Sequence, residues 1–314
     1  MRAAVPSSLG KVRCAPACSP TARRELLAGI LFTAPWIVGF LVFLAYPIGA
    51  AFYYSLTYYT VLAPPSWVGL ANYWQLLSHD NLFAVSVFNT AYFVLFSVPL
   101  GIVVALGMAV LLNNRRLFHL GVFRTIYYLP SILPLVATSV LWLWILNPQS
   151  GLVNHFLSAL GLPAPGWLAS TFWSKPALIF MSLWGTGNTM VVLLAALQGV
   201  PQELYEAAAV DGATRWRRFW HVTLPQISPS LLFAAIVNTI GGFQYFTQQY
   251  IMTGSSGTPA NSSLMYATYL FDNAFSYNQM GYASAMAWLL FSIILVCVIA
   301  IFVLSKKLVY YAAE

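Results

Sequence analysis

Six apolar runs constrain this chain more than anything else in it: near Leu26 to Ala51, Val87 to Leu112, Thr125 to Leu146, Ala177 to Leu197, Leu231 to Ile251 and Tyr282 to Leu304. Each is long enough, at roughly 20 residues, to cross the hydrocarbon of a bilayer as a helix. Lipid offers no water to backbone N–H and C=O groups, so such segments must close their hydrogen bonds internally. Composition agrees, with 60% hydrophobic and 7% charged residues, where a soluble chain carries about 25% charged. The sequence therefore predicts an all-α integral membrane protein of six transmembrane helices. It is organised as a tail over 1–25, a six-helix domain over 26–305 and a tail over 306–314. The first run is too long for a cleaved signal peptide and ends in Tyr46-Pro47 rather than small residues, so it reads as a retained span.

Basic residues orient the helices, because Lys and Arg are retained on the cytoplasmic side. Arg2, Lys11, Arg13, Arg23 and Arg24 precede the first run, Arg115, Arg116 and Arg124 lie between the second and third, Arg215, Arg217 and Arg218 between the fourth and fifth, and Lys306 and Lys307 after the sixth. Only Lys175 falls in an outward loop. Both termini are thus expected in the cytoplasm, and the net charge of +7 needs no nucleic-acid partner. The outward loops are expected to hold short helices at Val68 to Leu77 and at Leu152 to Leu160.

The longest inward loop, 199–229, contains EAAAVDGATRWRRFWHVTLPQISP from Glu206 to Pro229. Pro201 suits a helix start, Glu203 and Glu206 favour that end electrostatically, and Gly212 suits a turn at the other. A second short helix is expected from Ala213 to about His221, stopped by Pro225 and Pro229. Glu206, Ala207, Ala208, Asp211, Gly212, Ala213, Leu224 and Pro225 stand at the spacing of the EAA loop, and the chain resembles the inner-membrane permeases of binding-protein-dependent ABC importers. Val222 replaces the commoner Ile.

Two further segments carry the resemblance, and they point to the carbohydrate branch that moves maltose, glycerol phosphate and related solutes. They are Gly69, Leu70, Asn72 and Tyr73 in the first outward loop, and MGYASAMAW from Met280 to Trp288. Thr258 departs from the branch's Gly-Gly-Pro-Ala. The resemblance implies a type I importer permease fold in a bacterial cytoplasmic membrane. It implies as partners a second, homologous permease, two ATP-binding cassette subunits carrying ATP and Mg, and an extracytoplasmic solute-binding protein. The loop would dock on an ATPase and transmit its motion.

The remaining chemistry is sparse. No Walker A pattern occurs, so the chain is expected to be no enzyme and to bind no cofactor itself. Cys14, Cys18 and Cys297 form no metal or redox pattern, and no metal site is expected. Glu25, Asp80, Glu203, Glu206, Asp211, Asp272 and Glu314 all lie outside or at the ends of the runs, against the buried relays of an ion-coupled carrier. The runs carry neutral polarity instead. At about 100° per residue, Asn238, Gly241, Gly242, Tyr245, Gln248 and Gln249 share one arc of the fifth run. Trp184 with Asn188, and Ser284 with Trp288, pair at i, i+4 in the fourth and sixth. Two readings stay open: helix-to-helix hydrogen bonds, or amides and rings offered to a sugar. Another solute class on the same scaffold, such as glycerol phosphate, a peptide or an amino acid, is the alternative function; the lack of basic residues in the runs disfavours a strongly anionic one.

Overall fold

The computed structural model describes residues 20–113 and 119–308. The expectations placed on Arg2, Lys11, Arg13, Cys14, Cys18, Arg115, Arg116 and the last six residues fall outside these. The chain forms two compact units, one through Tyr53 and one from Tyr54 onward.

The first unit is helical. α1 (Pro20–Phe40) passes through a π-turn at Leu41–Ala45 into α2 (Tyr46–Ser55). The Tyr46 amide reaches back five residues to Leu41 O, a widening that lets the helix absorb Pro47, which has no amide to give.

The second unit opens with a feature absent from the sequence expectation, a hairpin of β1 (Thr57–Thr60) and β2 (Ala63–Trp67), antiparallel with Thr57 opposite Trp67. Pro64 and Pro65 are tolerated because a two-stranded ribbon is all edge. α3 (Ala71–Ser78) follows, as expected. Its Asn72 amide donates to Ser55 O and Thr57 O, both at 2.9 Å, and the Tyr73 hydroxyl to Ser55 Oγ at 2.8 Å. The Gly69 to Tyr73 motif is thus a clasp on the hairpin. Gly281 completes it, since a Cβ there would stand 2.1 Å from Thr57 O.

α4 (Asn81–Leu112) runs the length of this unit and joins three cores in turn. Phe83 packs with Leu76, Tyr266, Tyr282 and Met286. Phe93 packs with Trp142, Leu178, Tyr245 and Met265. Ala105, Ala109 and Leu112 pack with Met190, Leu193, Leu197 and Ile227. Asp80 caps the helix, Oδ1 accepting the Phe83 amide, while Oδ2 accepts the Tyr269 and Tyr282 hydroxyls at 2.6 Å each. Burial and then the Asp80 carboxylate push the Tyr269 phenol above its ordinary pKa.

Three expected spans are broken. α5 (Leu120–Ile132) and α6 (Leu135–Ile145) meet at 100°, because Leu133 is held extended before Pro134. α8 (Ser174–Trp184) and α9 (Gly187–Gln198) bend by 48° at Gly185-Thr186. α13 (Ser228–Phe243), begun with Pro229 in its first turn, stops just after Gly241-Gly242, and Gln244 to Phe246 leave the helix before α14 (Thr247–Thr253). By length and composition the described residues hold three unbroken crossing helices, Arg23–Ser55, Asn81–Leu112 and Met280–Lys306, and up to six if α5 with α6, α8 with α9, and Arg215–Gln226 with Ser228–Phe243, bent by 66°, are each one crossing.

α7 (Leu152–Ala159) sits where a short helix was expected. α10 (Gln202–Val210), α11 (Arg215–Arg218), a π-turn (Phe219–Thr223) and α12 (Leu224–Gln226) make the 199–229 loop. The second arm therefore runs past Pro225, because the π-turn shifts the backbone register in which proline lacks a donor. The Thr253 to Met280 loop holds α15 (Tyr266–Phe271) and a π-turn at Asp272–Ser276, neither of which the sequence reading separated from coil, and leads into α16 (Met280–Leu308), the expected sixth run. Thr258 fits this loop, its hydroxyl donating to Thr253 O at 3.0 Å.

Candidate translocation cavity and coupling loop

The three helix breaks converge on one cavity of about 430 Å³. α4 contributes Phe93, Ser97 and Gly101, the α5–α6 corner Pro130, Ser131 and Thr138, the α8–α9 corner Ser182, Trp184, Thr186, Asn188 and Thr189, and the α13–α14 corner Asn238, Gly241, Gly242, Tyr245 and Gln248. Irregular backbone at membrane depth is tolerated where it is buried in protein or lines a wet cavity, so breaks and cavity explain each other. Close approach is built in: a Cβ on Gly242 would meet Val94 Cγ2 at 3.0 Å, and one on Gly187 would meet Ser131 Oγ at 2.9 Å.

Among the described residues, no charged side chain lines this cavity. Its hydroxyls donate back into their own helices: Ser131 to Tyr128 O at 2.7 Å, Thr138 to Pro134 O at 3.1 Å, Ser182 to Ile179 O at 2.6 Å and Thr186 to Leu183 O at 2.9 Å. The Asn238 amide donates to Thr189 Oγ1 at 3.2 Å and to Ala234 O at 2.8 Å. Those donors are spent and their oxygen lone pairs remain, while the Asn188 and Gln248 amides make no hydrogen bond among the described residues, so the wall offers both acceptors and donors. Tyr245, 8% exposed, stacks on Phe93 with ring centroids 4.2 Å apart. Its hydroxyl is buried without a hydrogen-bond partner.

Of the residues singled out in the sequence, Trp184, Asn188, Asn238, Tyr245 and Gln248 line the cavity. Gln249 does not. It is fully buried, donating to Thr253 Oγ1 at 2.9 Å and Gly254 O at 3.0 Å and accepting from the Thr268 hydroxyl. The arc assumed one continuous helix, and the break after Phe243 ends it. Ser284 and Trp288 also lie elsewhere on α16, with Trp288 edge-on to Phe291 at 5.6 Å. The residues missed, Ser97, Ser131, Thr138, Ser182 and Thr186, are single hydroxyls at or facing helix breaks, and their signal was the Pro and Gly beside them.

In the 199–229 loop, Glu206, Ala207, Asp211 and Gly212 are exposed, while Ala208, Ala213, Leu224 and Pro225 are half-buried. Gly212 has φ +74°, and its neighbours close the turn by Gly212 N–H to Ala209 O at 3.1 Å and Ala213 N–H to Ala208 O at 2.9 Å. This is the helix-end geometry that glycine suits. Thr214 caps the second arm by accepting the Arg217 amide, and the Tyr205 and Thr223 hydroxyls join the two arms at 2.9 Å.

The chain belongs to the family of binding-protein-dependent transport system inner membrane components, whose model matches residues 97–310. It is an integral membrane transport component and not an enzyme. It is 37% identical over 94% of its length to the probable ABC transporter permease protein YesP of Bacillus subtilis (strain 168), covering 96% of that protein. It is 36% identical over 91% of its length to the lactose transport system permease protein LacF of Rhizobium radiobacter, covering 94% of it. Among solved structures it is similar to a chain of a bacterial alginate ABC transporter in complex with an alginate pentasaccharide-bound periplasmic protein. That match has TM-score 0.73 and 25% identity over 93% of this chain and 97% of the other.

Proposed function

We propose that this chain is one of two permease subunits that together form the path of an ATP-driven importer for a sugar or sugar derivative. The observation that carries the substrate class is the uncharged cavity at the three helix breaks, lined by neutral hydroxyls, amides and aromatic rings. Sugar hydroxyls both donate to and accept from such a wall, and the unpartnered Tyr245 hydroxyl offers one further contact beside an aromatic face. Relatives that carry lactose and sulfoquinovosyl glycerol in their names support the same class.

In this reading the exposed Glu206 to Gly212 surface faces the cytoplasm, with both termini on that side, and docks on one of a pair of ATPase subunits that hold ATP and Mg. Closure of the ATPases pushes the loop, the Tyr205–Thr223 bond carries the push from one arm to the other, and α13 transmits it to the cavity. A solute-binding protein delivers the sugar from outside. The test is calorimetry of the cognate binding protein against a panel of sugars, amino acids and peptides, followed by uptake of the bound solute in cells with and without this chain. A sugar ligand whose uptake disappears without the chain is the expected result. An amino acid or peptide ligand would overturn the substrate class.

A further inference from the structure

At the same end of the bundle as the 199–229 loop lies a second cavity, of about 340 Å³. Its wall includes Asn113 after α4, Tyr205 of α10, and Arg215, Arg218 and Thr223 of the second arm, and among the described residues no acidic one. The Arg218 Nε is buried and has no hydrogen-bond partner among the described residues. Tyr205 and Thr223 are bonded to each other, so the two guanidinium groups are the cationic donors of the wall. A buried guanidinium N–H without an acceptor is costly. A phosphate group is the acceptor its planar fork fits best, with two parallel charge-assisted bonds.

Between and beside these arginines stand Trp216, 70% exposed, and Trp220, 47% exposed, packed against each other and against Phe219 with centroids 5.6 to 6.1 Å apart. Trp and Arg together are the side chains of the headgroup level of a bilayer, and a cytoplasmic leaflet offers anionic lipid there.

We propose that the cavity beneath α11 is a phosphate-binding site, filled by the headgroup of an anionic phospholipid and held by Arg215 and Arg218. The lipid would then brace the second arm of the loop that couples to the ATPase.

The test uses the purified full chain in neutral detergent, titrated with dioctanoyl phosphatidylglycerol, dioctanoyl phosphatidylcholine or inorganic phosphate, with binding read by native mass spectrometry. Phosphatidylglycerol should bind saturably and at least about tenfold more tightly than phosphatidylcholine. Arg215→Gln and Arg218→Gln should each weaken it about tenfold, the loss of one charge-assisted contact. Arg217→Gln, outside the wall, should bind as the native chain does. Arg218→Lys, which keeps the charge and loses the fork, should fall between native and Arg218→Gln, and unchanged thermal melting shows that the variants fold. Saturation by inorganic phosphate that displaces the lipid would uphold the phosphate chemistry and overturn the lipid as its source. Equal lipid affinity of native and Arg218→Gln chains overturns the site. So does loss of copurifying ATPase in Arg218→Gln with anion binding intact, which would give the guanidinium to a partner's carboxylate.

Discussion

At Gly212 one backbone angle sets the turn between the two arms of the 199–229 loop, with φ +74°. A Cβ at this position would meet nothing within 4 Å, so a larger residue is opposed by the left-handed φ alone, at about 1–3 kcal/mol for a β-branched side chain. Gly212→Val is therefore expected to insert normally and to misplace α10. Uptake should be lost, and ATP hydrolysis should stop responding to the binding protein. Gly212→Asn, which tolerates that φ better, should keep part of both, and native uptake by Gly212→Val removes the coupling role. Tyr245 calls for a gentler change. Removing its ring would empty a packed site, at about 3–5 kcal/mol for a large aromatic, and lower abundance would mask any effect on transport. Tyr245→Phe keeps the stack on Phe93 and deletes only the unpartnered hydroxyl. Apparent affinity for sugar should fall several-fold at unchanged abundance. Tyr250→Phe, at a residue that packs on Phe246 and Phe271 away from the cavity, should transport as the native protein does.

At the level of helices, the sequence disclosed which segments cross and hid where they break. Hydropathy averages over a window, so Pro134, Gly185 and the Gly241-Gly242 pair vanish inside runs that are apolar on the whole. The cavity sits at those interruptions. Asn238 and Tyr245 were legible because polarity in an apolar run stands out. Ser131 and Thr186 were not, because a hydroxyl in a membrane helix usually returns its proton to its own backbone, as both do here. Gln248 and Gln249 are adjacent in sequence, yet the break turns one into the cavity and the other into a closed network with Thr253 and Thr268. Opposite phenotypes follow. Gln249→Leu strands the polar groups around it and should lower the melting point in detergent, at a cost of about 1–3 kcal/mol. Gln248→Leu should leave melting unchanged and reduce uptake. If both variants melt alike and transport alike, the division between cavity and network is wrong.

For the whole molecule, sidedness decides what each cavity can meet, and it rests on charge rather than on packing. Arg215, Arg217 and Arg218 lie together in one loop, while Lys175, at the other end of α8 and α9, donates to Asn89 Oδ1 at 3.1 Å and lies over the Phe88 and Tyr92 rings at 5.6 and 5.5 Å. Lys175 is thus held by neighbours that do not depend on the cytoplasmic side, whereas the arginine loop follows the bias that sets orientation during insertion. Gln149, Ser256 and Arg217 are all exposed, so accessibility at these positions reports sidedness and not burial. In a chain lacking Cys14, Cys18 and Cys297, single cysteines at Gln149 and Ser256 should react with an impermeant thiol reagent added outside intact cells. A cysteine at Arg217 should react only after the membrane is opened. Labelling at Arg217 from outside would invert the molecule, placing the cavity's delivery side, the proposed ATPase dock and the proposed phosphate site on the wrong faces together.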